Sequence, residues 1–139
     1  MHLLAGGTAI VLVALSLIHV YWAVAGGAGA GVVPEVSGAP TFRPSTAATL
    51  AVAVALATAG LLVWEAGGAG PAFIPMSIAR GGSWLVATAF LARALGDFRL
   101  VGFFKRVRGT RFAVLDTRLY SPLAVVLGLA SAAVAQGGG

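Results

Sequence analysis

Not one Lys, Arg, Asp or Glu occurs in residues 1–34, and the densest apolar part of that run is residues 3–25. A bilayer core about 30 Å thick takes about 20 helical residues to cross. The run is therefore long enough for a membrane span. The pattern returns twice: residues 44–64 are uncharged between Arg43 and Glu65, and residues 119–139 are uncharged after Arg118. The whole chain of 139 residues holds nine Lys or Arg and four Asp or Glu, and 59% of it is hydrophobic. A soluble domain has roughly a quarter of its residues charged. So few charges cannot cover a soluble globule, and the apolar content is far above that of a disordered chain. The expected fold is all-α: one integral membrane domain, a four-helix transmembrane bundle with spans at about 3–25, 44–64, 75–95 and 119–137.

The third span is the hardest to place. Arg80 and Arg93 bracket only 12 uncharged residues, about 18 Å of helix at 1.5 Å per residue. To cross, the helix must take both arginines inside its limits, where each lies within two turns of an end and can snorkel. Four spans put the first and third connections at one end, and both termini with the second connection at the other. Six of the nine basic residues lie between Arg99 and Arg118, so the positive-inside rule places the first and third connections in the cytoplasm. The expected location is the cytoplasmic membrane, with both termini outside. The triplet Ala28-Gly29-Ala30 resembles a signal-peptide cleavage site. No Lys or Arg precedes the apolar run, however, and His19, Tyr21 and Trp22 interrupt the approach, so the first helix is expected to be retained.

The chain has no Cys, which removes disulfides and thiolate chemistry. Two His and four acids are too few for an ordinary metal site, and no cofactor is expected. Basic residues beside apolar runs read as topology signals, so no nucleic-acid partner is expected either. Leu100, Phe103, Phe104 and Val107 recur at helical spacing and predict an amphipathic cytoplasmic segment lying in the interface. In that reading Lys105, Arg106, Arg108 and Arg111 meet anionic headgroups, and membrane lipids are the expected partner. The blander alternative is a topology anchor. Ala47, Ala51, Ala55 and Ala59 form a small-residue ridge, as do Ala124, Gly128 and Ala132, and such ridges let helices approach closely. Packing within the bundle is the preferred use, with a homo-oligomer face as the alternative.

The remaining polar residues invite pairing: Glu65 with Arg80, and Arg93 with Asp97 at i, i+4. Asp116 either pairs with Arg118 or caps a helix start. His19, Tyr21, Asp97, Arg99, Asp116, Arg118 and Tyr120 all map to the cytoplasmic side and form the candidate polar site. Within it, the His19 ring is expected to hydrogen-bond another helix near Asp97 or Asp116.

His19, Tyr21 and Trp22 followed by Gly26 and Gly27 resemble the first-helix motif of a family of small bacterial membrane proteins known as domain of unknown function 3995. A second block is more specific. It comprises Gly96, Asp97, Phe98 and Arg99; Gly102, Phe103, Phe104 and Lys105; Thr110 and Phe112; Asp116 and Thr117; and Tyr120, Ser121, Pro122 and Leu123. Ala124 stands where many relatives are expected to have Cys, so thiol chemistry would not transfer. The resemblance implies four membrane helices and no particular activity. Two functional readings follow: a non-enzymatic protein that binds a lipid or amphipathic small molecule, and a membrane enzyme acting on a lipid-like or quinone-like substrate. In the second, His19 and Asp97 or Asp116 transfer protons.

Overall fold

The computed structural model describes residues 1–27 and 31–137. The triplet Ala28-Gly29-Ala30 lies outside the described residues. Four long helices dominate: α1 (His2–Ala25), α2 (Thr46–Ala66), α3 (Met76–Leu95) and α4 (Arg111–Gln136). By length and composition α1, α2 and α4 are apolar enough to cross a membrane. α3 has 20 residues but carries Arg80 and Arg93, so it does not join them.

Local chemistry sets the helix ends. Gly26 stops α1 in the left-handed conformation (φ 86°), and the Gly27 N–H returns to the Trp22 carbonyl at 2.9 Å. Ser45 opens α2 by accepting the Ala48 N–H at 3.1 Å, and Thr110 opens α4 by accepting that of Ala113, also at 3.1 Å. Each satisfies one of the N–H groups that a helix start leaves without a carbonyl. The fourth helix thus begins well before residue 119, because the capping threonine lies upstream of its charged first turns.

α4 is not uniform. Residues Asp116–Tyr120 form a π-helical turn, with the Ser121 N–H bonding the Asp116 carbonyl five residues back. Pro122 follows at once. Lacking an N–H and crowding the carbonyl four residues before it, Pro122 supplies the reason for widening that turn. Such π-bulges occur often at functional sites.

α1 packs chiefly on α2 and α3 on α4, while α2 meets α3 more lightly. Leu12, Val63 and Val134 are fully buried at the centre, among Ala5, Ala66, Ala79 and Leu127. Small residues set the spacing. A Cβ on Gly128 would lie 2.7 Å from Leu91 Cγ, and one on Gly67 would lie 2.2 Å from Ala5 Cβ. The Ser16 hydroxyl donates across the α1–α2 seam to the Ala53 carbonyl at 2.7 Å. The ridge on α4 is used as expected, with Ala124 and Gly128 buried, but that on α2 is not: Ala47, Ala51 and Ala55 are exposed and only Ala59 is buried. α2 turns a different stripe (Ala53, Gly60, Val63) inward.

Gly67 beside Ala5, Gly68 beside His2 and Gly137 beside Met1 gather the second connection and both ends of the described chain at one end of the bundle. The other end holds the first and third connections. There, the Tyr120 hydroxyl donates to the Gly31 carbonyl at 3.1 Å. The first connection also folds a small antiparallel hairpin, Glu35–Val36 against Ala39–Pro40, turned by Ser37 and Gly38 at positive φ.

Candidate functional site

The third connection was expected to be an amphipathic helix, and it is not one. Residues 96–110 are irregular throughout, because two glycines fold the chain back on itself. Gly96 and Gly102 both have φ of 88°, and a Cβ on Gly102 would lie 2.4 Å from the Leu95 carbonyl oxygen. Only glycine fits that crossing. Between them one Asp97 carboxylate oxygen accepts the N–H groups of Arg99 (2.9 Å), Leu100 (2.7 Å) and Val101 (3.0 Å). Those bonds, that of Arg99 first, hold the Asp97 carboxyl below its ordinary value. The Phe103 N–H then bonds the Ala94 carbonyl at the end of α3 (2.9 Å). Asp97 is thereby committed to its own loop and does not pair with Arg93. Phe98, Phe103 and Phe104 stay exposed, alongside exposed Arg99 and Arg106.

Asp116 is the hub that pins this loop to the bundle. Its side chain is fully buried, and its two oxygens take three partners. Oδ1 accepts from Arg93 Nη2 at 2.7 Å, while Oδ2 accepts the Gly102 N–H at 2.8 Å and pairs with Lys105 Nζ at 3.0 Å. Lys105 also donates to the Gly102 carbonyl (2.9 Å) and to the Thr117 hydroxyl. The expectation that Lys105 meets lipid headgroups is thus corrected: its ammonium has three acceptors inside the protein, and the residue is 2% exposed. Asp116 neither pairs with Arg118 nor caps a helix start; it sits inside α4. A carboxylate buried this completely is tolerable only with such partners.

Beside this lock, α2 and α3 leave an apolar groove of about 300 Å³ lined by Val52, Ala55, Leu56, Leu85, Ala89 and Phe90, among others, with Arg93 bordering it. Asp116 holds Arg93 Nη2. Arg93 Nη1 is buried without a hydrogen-bond partner among the described residues, and a buried guanidinium donor with no acceptor is costly. In the sequence Arg93 reads only as a pairing partner for Asp97, not as part of a site. The signal was present, a basic residue on an otherwise apolar face, but the facing groove is a tertiary feature.

His19 lies elsewhere. Its Nδ1 meets the Leu15 carbonyl of its own helix at 2.7 Å, not a group on another helix. Its ring stands edge-on to Trp22, with centroids 5.0 Å apart. It borders a cavity between α1, the start of α2 and the first connection, and neither Asp97 nor Asp116 lines that cavity. Tyr21 points outward and is exposed. Tyr120 ties Gly31 to α4 and packs against Phe112, ring centroids 6.0 Å apart. Arg108 Nε donates to the Lys105 carbonyl at 3.3 Å, and Arg108 and Arg118 flank a small cleft over Thr117. Arg111 is exposed at the first turn of α4. The predicted polar site thus divides in two, a charged lock around Asp116 and a nearly apolar cavity at His19.

At the opposite end, Glu65 does not bridge to Arg80. It is buried and accepts the N–H groups of Ala72 and Phe73, each at 3.0 Å, from the short second connection. Arg80 Nε is left buried without a partner among the described residues.

The chain is thus a small all-α bundle with a charge lock at one end, and three of its helices are, by length and composition, compatible with a membrane protein. The chain matches the family described as Protein of unknown function (DUF3995) over residues 12–131, and it belongs to that family. No curated protein and no solved structure matches it. The second sequence block acquires physical meaning here: Gly96, Asp97, Gly102, Lys105, Asp116 and Thr117 fold the loop and pin it, while Thr110 caps α4 and Tyr120 ties it to Gly31.

Proposed function

We propose that this is a non-enzymatic integral membrane protein that binds a lipid with an anionic head in the groove between α2 and α3. The observation that carries the reading is Arg93 beside the apolar groove, with Nη2 fixed by Asp116 and Nη1 buried and unpartnered. A phosphate or carboxylate oxygen at the Arg93 edge of the groove pairs with the part-exposed guanidinium, and an acyl chain fills the apolar length beyond it. α3 completes a fourth span in this reading, with Arg80 and Arg93 near the two interfaces. The asymmetry of Lys and Arg favours a cytoplasmic position for the first and third connections and an outer one for both termini. Exposed Phe98, Phe103 and Phe104 beside Arg99 and Arg106 suit a loop seated at the headgroup level. The proton-transfer alternative has less support, because both aspartates are committed to loop and lock and neither shares a cavity with His19.

The test is lipid retention measured by native mass spectrometry after reconstitution in equal parts phosphatidylglycerol and phosphatidylcholine. Wild type should keep phosphatidylglycerol in preference. Ala55→Phe with Ala89→Phe, which fills the groove and leaves Arg93 itself unchanged, should lose that preference while the protein stays folded. Equal retention of both lipids by wild type, or an unchanged preference in the filled variant, would overturn the proposal.

A further inference from the structure

The cavity beside His19 differs from the α2–α3 groove in both shape and chemistry. It measures about 280 Å³ and is walled by Trp22, Val32, Pro34, Phe42, Pro44 and Val52, with Ala48 and Thr49 at the start of α2. Its size sits just below the usual range of small-molecule sites, about 300–1,000 Å³, which suits a single-ring headgroup better than a bulky one. Among the described residues, His19 is the one ionisable residue in its lining.

The hydrogen bonds already made determine what the walls can still offer. A carbonyl oxygen only accepts, so at 2.7 Å from the Leu15 carbonyl His19 Nδ1 must carry the proton. In the neutral ring, that leaves Nε2 as an acceptor. The Thr49 hydroxyl hydrogen is similarly spent, donated to the Ser45 carbonyl at 3.0 Å. Its oxygen adds a second acceptor. Trp22 brings an indole N–H, which only donates. The cavity therefore combines apolar walls with acceptors at His19 and Thr49 and a donor at Trp22. A ketone or an ether has no proton for Nε2, and an ammonium has no carboxylate here to balance its charge. A hydroxyl fits both needs, donating to Nε2 and accepting from an N–H.

We infer that the His19 cavity is a binding site for an apolar molecule bearing a hydroxyl group, of the phenol or quinol type, whose O–H donates to His19 Nε2. The site shares no acceptor or cation with the Arg93 groove and stands whether or not that groove holds an anionic lipid. The matched probes are 4-octylphenol and its methyl ether, which share an apolar body and differ in the hydroxyl proton. Binding to the full chain in detergent is followed by the ¹⁵N shift of His19 Nε2 and by tryptophan fluorescence. The phenol should move the Nε2 resonance saturably and bind at least tenfold more tightly than the ether, because a site built around a hydrogen bond rejects the analogue that cannot make it. His19→Phe should erase the difference between the probes, and Ala48→Trp should remove the binding of both. Equal affinity of phenol and ether for wild type, an unmoved Nε2 resonance at saturation, or full phenol binding in Ala48→Trp would each overturn the inference. Because the wild-type Nε2 shift is read directly, the test holds even if a variant fails to fold.

Discussion

Each end of the bundle buries one acid, and the two are satisfied in opposite ways. Glu65 takes two backbone N–H groups from a short connection that has no charge of its own. Asp116 takes one backbone N–H and one cation, Lys105, from a long basic connection, and a second cation, Arg93, from the end of α3. The contrast shows that a buried carboxylate is held by whatever donors the neighbouring loop supplies. Eight residues between Gly67 and Ile74 offer little except peptide groups. The loop between α3 and α4 is long enough to fold back over the helix ends and deliver a lysine. The Glu65 end is thus closed by backbone N–H donors, and the Asp116 end depends on charge balance.

Removing Asp116 should break that contrast most severely. Asp116→Ala leaves Lys105 buried without its counter-ion and Arg93 without its anchor, a loss expected to be about 3–5 kcal/mol. Thermal unfolding in detergent measures it. Asp116→Leu combined with Lys105→Met should recover most of the loss, because a buried pair can be replaced by apolar groups of similar volume at little cost. A double variant as unstable as Asp116→Ala would mean that unanchored Arg93 and the Gly102 crossing, not the buried Lys105 charge, dominate this end.

Glu65→Gln should cost less, about 1–3 kcal/mol, since the amide keeps one acceptor and turns its NH₂ toward a backbone N–H. The same unfolding experiment decides the point. A cost equal to that of Asp116→Ala would erase the distinction between the two ends.

The smallest effect belongs to Asp97, which is exposed. The N–H groups of Arg99 and Leu100 lower its carboxyl below the ordinary value of 3.8. A depressed carboxyl stabilises its turn fully above the ordinary value and loses that contribution as pH falls through the lowered one. The amide ¹H shifts of Arg99, Leu100 and Val101 should therefore titrate together with a midpoint under 3.8, and Asp97→Asn should abolish the titration. A midpoint at or above the ordinary value would show that the carboxylate does not hold the turn.

Much of the bundle is legible along the chain, since uncharged runs of this length leave few alternatives to long helices. The start of α4 was not legible, because Arg111, Asp116 and Arg118 look like loop residues until the Thr110 cap and the burial of Asp116 are known. The stripe Leu100, Phe103, Phe104 and Val107 mimics an amphipathic helix, but Gly96 and Gly102 at positive φ fold that stretch into a crossing. The proposed His19–aspartate cluster failed for a related reason. Residues at the same depth on different helices share a level in the bundle, but a common site also requires that they face one another.

The sequence by itself determined the long apolar helices, the end of the bundle that gathers the basic residues, and the family, because hydropathy and motif spacing act locally along the chain. Only the tertiary structure decided which charges meet. Arg93, Gly102, Lys105 and Asp116 come from two helix ends and the loop between them, and their pairing depends on the loop folding back before the ions can be buried. It also decided that His19 lines an apolar cavity away from both aspartates. Nearest-neighbour spacing cannot specify that, because the opposing walls are supplied by α2 and the first connection.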